Sequence, residues 1–208
     1  IEVSNKFGDI ILPSLNKEVR VEMAHGSLKG GKLKDDLRLV ASYSKINVKY
    51  VEKGNLDLKF TDLKLDETNR MTVVASSGEI EIEEAQDLNL TIKYGSAELE
   101  EVKDIQMSAT MSQVEIEKLT GKFVGQHKHG EFTIDEVATG FMGINLQCTM
   151  SSVDIDFHDQ IAFNYNITMA GTRGVRLPTE HNNVANHLND SRDETINGIV
   201  ATVPIAGK

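Results

Sequence analysis

His127 and His129 stand two residues apart, so on an extended strand they face the same way, as two imidazole ligands of one metal would. Cys148 is the only thiol in the chain, and nucleophilic chemistry there would need a base such as His127 beside it. Asp154, Asp156, His158 and Asp159 form the densest polar cluster, and paired carboxylates are the machinery of glycoside hydrolysis. Glu81, Glu83, Glu98, Glu100, Glu115, Glu117 and Asp135 recur upstream of it at a regular interval. Their oxygens would suit Ca²⁺ or a basic partner surface. Gly30-Gly31 has no strand-to-helix setting, which excludes a phosphate-cradling loop. Which of these groups converge depends on the elements that carry them.

Those elements repeat. Segments built as a turn and then apolar–polar–apolar recur along the chain, among them SGEIEI at 77–82, YGSAEL at 94–99, MSQVEI at 111–116 and MSSVDI at 150–155. The first apolar residue after each turn is Ile10, Leu28, Ile46, Leu63, Ile80, Ala97, Val114, Phe132 and Val153, at spacings of 18, 18, 17, 17, 17, 17, 18 and 21. Each unit holds two runs of period-two alternation, as in Met71, Val73 and Ala75 before the Ser77-Gly78 bend and Ile80 and Ile82 after it. Such alternation means strands with one buried face, and no helical stripe competes with it. Two short strands cannot bury that face alone, but identical units stacked about 4.8 Å apart can. The sequence therefore predicts an all-β, β-helix-like solenoid of about nine stacked 17–18-residue two-strand coils with a C-terminal cap. Residues 1–170 are the repeat domain and 171–208 its terminal coil and cap. Within the cap, 179–195 reads as a loop and 196–205 as a returning strand or hairpin.

Stacking turns repeat positions into columns. One column, Met23, Ala41, Leu58, Ala75, Ile92, Ala109, His127 and Cys148, should face inward; so should Leu15, Leu33, Val51, Thr68, Ala85, Val102, Leu119, Val137 and His158. A third, Phe7, His25, Tyr43, Phe60, Ser77, Tyr94, Met111, His129 and Met150, falls just before each bend as a ladder of rings and thioethers. His127 and Cys148 are thereby expected to be packed residues, with no third metal ligand adjacent to the histidines. The carboxylates form two outward columns, Glu81, Glu98, Glu115 and Asp154, then Glu83, Glu100, Glu117, Asp135 and Asp156. Like charges one strand apart cost stability, and the expected role is a solvated face, with a partner or Ca²⁺ as the functional alternative. A regular ladder lacks the cleft and the unequal environments that two-carboxylate hydrolysis needs. The sequence assigns no catalytic, cofactor-binding or metal residue.

The charge fits this map. The 208 residues carry 22 basic and 32 acidic side chains, a net charge of −10. Residues 1–70 balance at +2, from thirteen basic and eleven acidic, and 71–208 at −12, from nine and twenty-one. Nucleic acid and anionic lipid both need a basic face, so neither is expected as a partner. No apolar run approaches the roughly 20 residues of a membrane-spanning helix. One cysteine excludes a disulfide framework and a multi-thiolate metal site. The opening Ile1-Glu2-Val3-Ser4 has neither Met nor the basic and apolar regions of a signal peptide, and the expectation is that something upstream was removed.

The phrases SSGEIEIEE (76–84), KYGSAELEEV (93–102) and ASYSKINV (41–48) resemble the bacterial toastrack, or DUF4097, adhesin family over residues 1–178. The resemblance implies a β-solenoid in an exported or envelope-associated bacterial protein, in the periplasm, on the outer membrane surface or extracellular, and supplies no catalytic residue. The long rigid surface of stacked repeats makes a non-catalytic, adhesin-like binding scaffold for protein or glycan the expected function. Other members imply an alternative, a sensory or regulatory scaffold in envelope stress; a carbohydrate-active β-helix enzyme is the third reading. One departure is that the coil around 138–150 is three or four residues longer than its neighbours.

Overall fold

The computed structural model describes residues 1–157 with their side chains, and the backbone of 163–170, 175–176, 182–190 and 193–200. The chain is a β-solenoid of about nine turns, with no helix among the described residues. Its strands are β1 (Glu2–Asn5), β2 (Ile10–Leu12), β3 (Val19–Ala24), β4 (Ser27–Ser42), β5 (Lys45–Lys59), β6 (Asp62–Val137) and β7 (Gly143–Phe157). β6 is continuous for 76 residues because the chain keeps its ladder hydrogen bonds while it winds through several bends. Pairing from β1 to β7 is parallel, and each residue meets the one a coil later: Leu28 pairs Ile46, Ile46 pairs Leu63, and His127 pairs Cys148.

This register places the expected inward columns in one continuous core. Met23, Ala41, Leu58, Ala75, Ile92, Ala109, His127 and Cys148 are all buried, as are Leu33, Val51, Ala85, Val102, Leu119 and Val137. Thr68 is buried among them because its Oγ1 donates to the Val51 carbonyl at 2.8 Å. Leu15 is half-buried at the end of the stack, and His158 lies outside the described residues. Gly54 leaves an inward slot that Met71 fills; a Cβ there would lie 2.5 Å from the Met71 sulfur.

The bends have a backbone device that period-two reading does not contain. His25, Tyr43, Phe60, Ser77, Tyr94, Met111, His129 and Met150 all have positive φ, between 50° and 62°. That left-handed conformation breaks the pleat, so the ladder stands out at the corner rather than on either sheet face. None of the eight is β-branched, the class least able to adopt it. Phe7, His25, Tyr43 and Phe60 stack with centroids 5.0–5.3 Å apart and planes within 14°, which offsets part of the conformational cost. At the next position, Ser44, Thr61 and Ser112 each donate a hydroxyl to the carbonyl two residues back, at 2.8–2.9 Å, and Ser151 holds the same place with its Oγ 3.1 Å from the Thr149 carbonyl. Elsewhere glycine takes that place, including Gly78 at φ 135°.

The longer coil leaves the solenoid where the spacing places it. β6 ends at Val137 and β7 begins at Gly143, with Thr139-Gly140 as a turn. Backbone bonds from Ala138 to Leu119 and from Met142 to Gly121 hold the bulge on the preceding coil.

Beyond β7, the backbone of β8 (Phe163–Ala170) and β9 (Val175–Arg176) again pairs parallel with β7. The expected loop over 179–195 is corrected. β10 (Asn182–Asp190) and β11 (Asp193–Val200) form an antiparallel hairpin, and β11 also pairs antiparallel with β8. The polar composition of that stretch had argued for a loop, but ladder hydrogen bonds come from the backbone and are compatible with polar side chains.

Candidate functional site

The acidic residues share the outward face of the runs that follow each bend. Glu98, Glu100, Glu117, Asp135 and Asp156 are exposed, whereas Glu81, Glu83, Glu115 and Asp154 are half-buried. Thr133, paired with Asp154 in register, interrupts the first carboxylate column. Lys64, one coil upstream, contacts the Glu81 carboxylate and lies 3.6 Å from Glu83, which neutralises the upper end of the ladder. Farther along, desolvation by neighbouring residues, then the charges of Glu83 and Glu117, raise the Glu100 carboxyl above its ordinary value. Desolvation followed by Asp135, Glu98 and Glu117 does the same to Glu115. Asp154 Oδ1 is buried with no partner among the described residues, and the Asp154 backbone pairs in register with that of Arg176.

A carboxyl raised in this way weakens the fold when ionised. The penalty is complete above its folded pKa and is relieved as pH falls through that value toward the unfolded 4.5. Glu100→Gln should therefore be neutral to slightly stabilising at neutral pH, and its advantage over wild type should vanish as pH approaches 4.5. Paired thermal melts across that range check this; a difference independent of pH would show that ionisation of Glu100 is not its source.

The histidine pair does not survive as a metal site. His127 is fully buried, whereas His129 occupies the exposed left-handed corner, because the positive φ there turns the second side chain away from the first. Both ring nitrogens of His127 are engaged, Nδ1 with Ser151 Oγ at 2.8 Å and Nε2 with the Ser112 carbonyl at 3.0 Å. A carbonyl only accepts, so Nε2 carries the proton and Nδ1 accepts from the Ser151 hydroxyl. Burial depresses the imidazole pKa, against the opposing pull of the Ser112 carbonyl. Cys148 pairs in register with His127, but burial pushes its thiol up to about 12, so it is protonated at neutral pH and no nucleophile. Among the described residues, no group of three or more His, Cys, Asp or Glu side chains is placed to hold a metal ion.

The opposite sheet carries the feature that charge-centred reading misses. Outward residues of the runs before each bend include Asn89, Thr91, Gln106, Ser108, Gln126, Asn145 and Gln147, and all seven line one shallow depression of about 470 Å³. Its lining contains no charged side chain and no aromatic ring. Register places Val124 beside Asn145 and Gln126 beside Gln147; the short Val124 is a low point among the longer amides. Gln126 donates to Ser108 Oγ at 3.3 Å, and the other carboxamides have no hydrogen-bond partner among the described side chains. The face continues toward the N-terminus as a second depression, where Arg38, Asn55 and Asp57 stand beside the exposed Val40 and Val74. Comparison of the chain with protein-family models, curated proteins and solved structures finds no significant match in any of the three. The carboxamides were legible in principle, because once Leu88, Leu90 and Ile92 are set inward, Asn89 and Thr91 must face out. Neutral side chains do not stand out in a charge map, so the hollow they form becomes visible only once the coils are stacked.

Proposed function

We propose that this chain is a non-catalytic binding scaffold of the bacterial cell envelope, adhesin-like, and exported as the toastrack resemblance implies. The carrying observation is the contrast between its two faces: a neutral carboxamide and hydroxyl surface on one sheet, and stacked carboxylates on the other. A parallel ladder holds both at fixed spacing, so the surface is rigid and loses little entropy when a partner docks. The two groups best suited to covalent or acid–base chemistry are committed to packing, Cys148 as a protonated thiol and His127 through both ring nitrogens.

Capture from envelope extract on the immobilised chain, together with a glycan array, tests the reading. Retention of surface glycans or of envelope proteins at low micromolar affinity is the expected result. Exclusive recovery of membrane-signalling proteins would favour the envelope-stress scaffold instead. Turnover on a polysaccharide panel, abolished by Asp154→Asn or Asp156→Asn, would overturn the non-catalytic assignment.

A further inference from the structure

The geometry points to a neutral-glycan site on the carboxamide face, and this rests on the scaffold reading above. Asn89, Gln106, Gln126, Asn145 and Gln147 crowd the depression, and each carboxamide presents both donors and an acceptor. Vicinal hydroxyls on a sugar present the matching pairs. Four of these five side chains have no partner among the described side chains, so their hydrogen bonds are made with water and are open to exchange. The residues lie on successive coils, and one residue of an extended β-linked glycan advances by about one coil spacing, ~4.8 Å. A glycan chain running along the solenoid axis would therefore meet polar side chains on every coil: Asn89 and Thr91, then Gln106 and Ser108, then Gln126 beside the apolar Val124, then Asn145 and Gln147.

Two observations favour glycan over a protein partner. Protein interfaces concentrate Tyr, Trp, Phe and Arg at their centres, and this lining holds none of the four. Charge is excluded from the floor of the depression in a chain that is 26% charged and that places carboxylates along the opposite sheet. A polyanionic glycan would have no cation to meet on that floor.

Affinity gel electrophoresis of the full chain through soluble polysaccharides tests the site. Neutral probes are mixed-linkage β-glucan, xyloglucan and galactomannan; charged ones are polygalacturonate and heparan sulfate. At least one neutral polysaccharide should retard the protein and the charged ones should not. Gln126→Ala/Gln147→Ala, and separately Gln106→Glu, should weaken that retardation by at least about tenfold with the thermal melt unchanged. Glu79→Gln, at an exposed position outside the depression, should leave it unaltered. Retardation that persists in both groove variants, or that charged polysaccharides match, would overturn the site. If no polysaccharide retards the chain while an envelope protein shields the groove from chemical footprinting, the glycan assignment fails and the scaffold reading stands. If neither binds, both fail.

Discussion

Ile82→Asp should abolish the native fold. Ile82 is completely buried, on a coil whose neighbours above and below place Leu65 and Leu99 in the same core. A carboxylate there has no cation and no free donor to meet, and every inward hydrogen-bonding group of the ladder is already committed to its own sheet. It must either ionise in hydrocarbon or fold only in its protonated form. The cost, about 4 kcal/mol or more, is a large share of the roughly 5–15 kcal/mol that holds a domain together. Leu99→Asp should behave in the same way. Loss of the β-sheet circular dichroism signal at room temperature is the readout. Glu83→Gln, one residue away on the other side of the pleat, should change the melt little. Three similar melts would mean that the inward–outward assignment is wrong.

Gly78→Ala should be nearly as damaging, although Gly78 is not part of the buried core. Its φ of 135° is a conformation that side chains rarely adopt. A Cβ at this position would lie 2.2 Å from the Thr61 carbonyl oxygen. The obstacle is backbone of the preceding coil, held by the ladder, so the methyl group cannot be accommodated by rotating a side chain. Relief requires opening the spacing between two coils, at a cost of about 2–4 kcal/mol. Chemical denaturation of the purified variant measures it directly. Glu79→Ala next to it, on an exposed position, is the comparison that should stay within about 0.5 kcal/mol of wild type. Equal midpoints for the two variants would show that the corner can relax.

These two positions mark how far local pattern reaches. Ile82 is legible as core from alternation with Glu81 and Glu83, because a strand can satisfy that pattern in only one orientation. The requirement at Gly78 is invisible locally. It arises from an atom seventeen residues earlier, brought close only by the rise of the solenoid. The histidine pair shows the same division. Spacing by two implies a shared face only if the residue between and the residues themselves are extended, and His129 is not. Lys64 shows it for charge: nothing local marks this lysine out, yet the register sets it against two glutamates of the next coil.

Composition began as a net charge of −10 with its surplus after residue 70. The repeat, its period, the strand faces and therefore the core are written in the sequence, because burial of a two-residue alternation leaves one self-consistent stack. The acidic columns fall on an outward face by the same alternation. The left-handed corners, the stacked rings outside them, the serine and threonine hydroxyls that close some of the bends, and the paired strands of β10 and β11 come from the packing of neighbouring coils. That packing alone gathers seven neutral side chains from successive coils into one depression. The physical reason is common to all of these. Hydrophobic alternation is written within a single run of chain, whereas a corner's dihedral angle, a carbonyl's approach and a surface hollow belong to neighbouring coils at once.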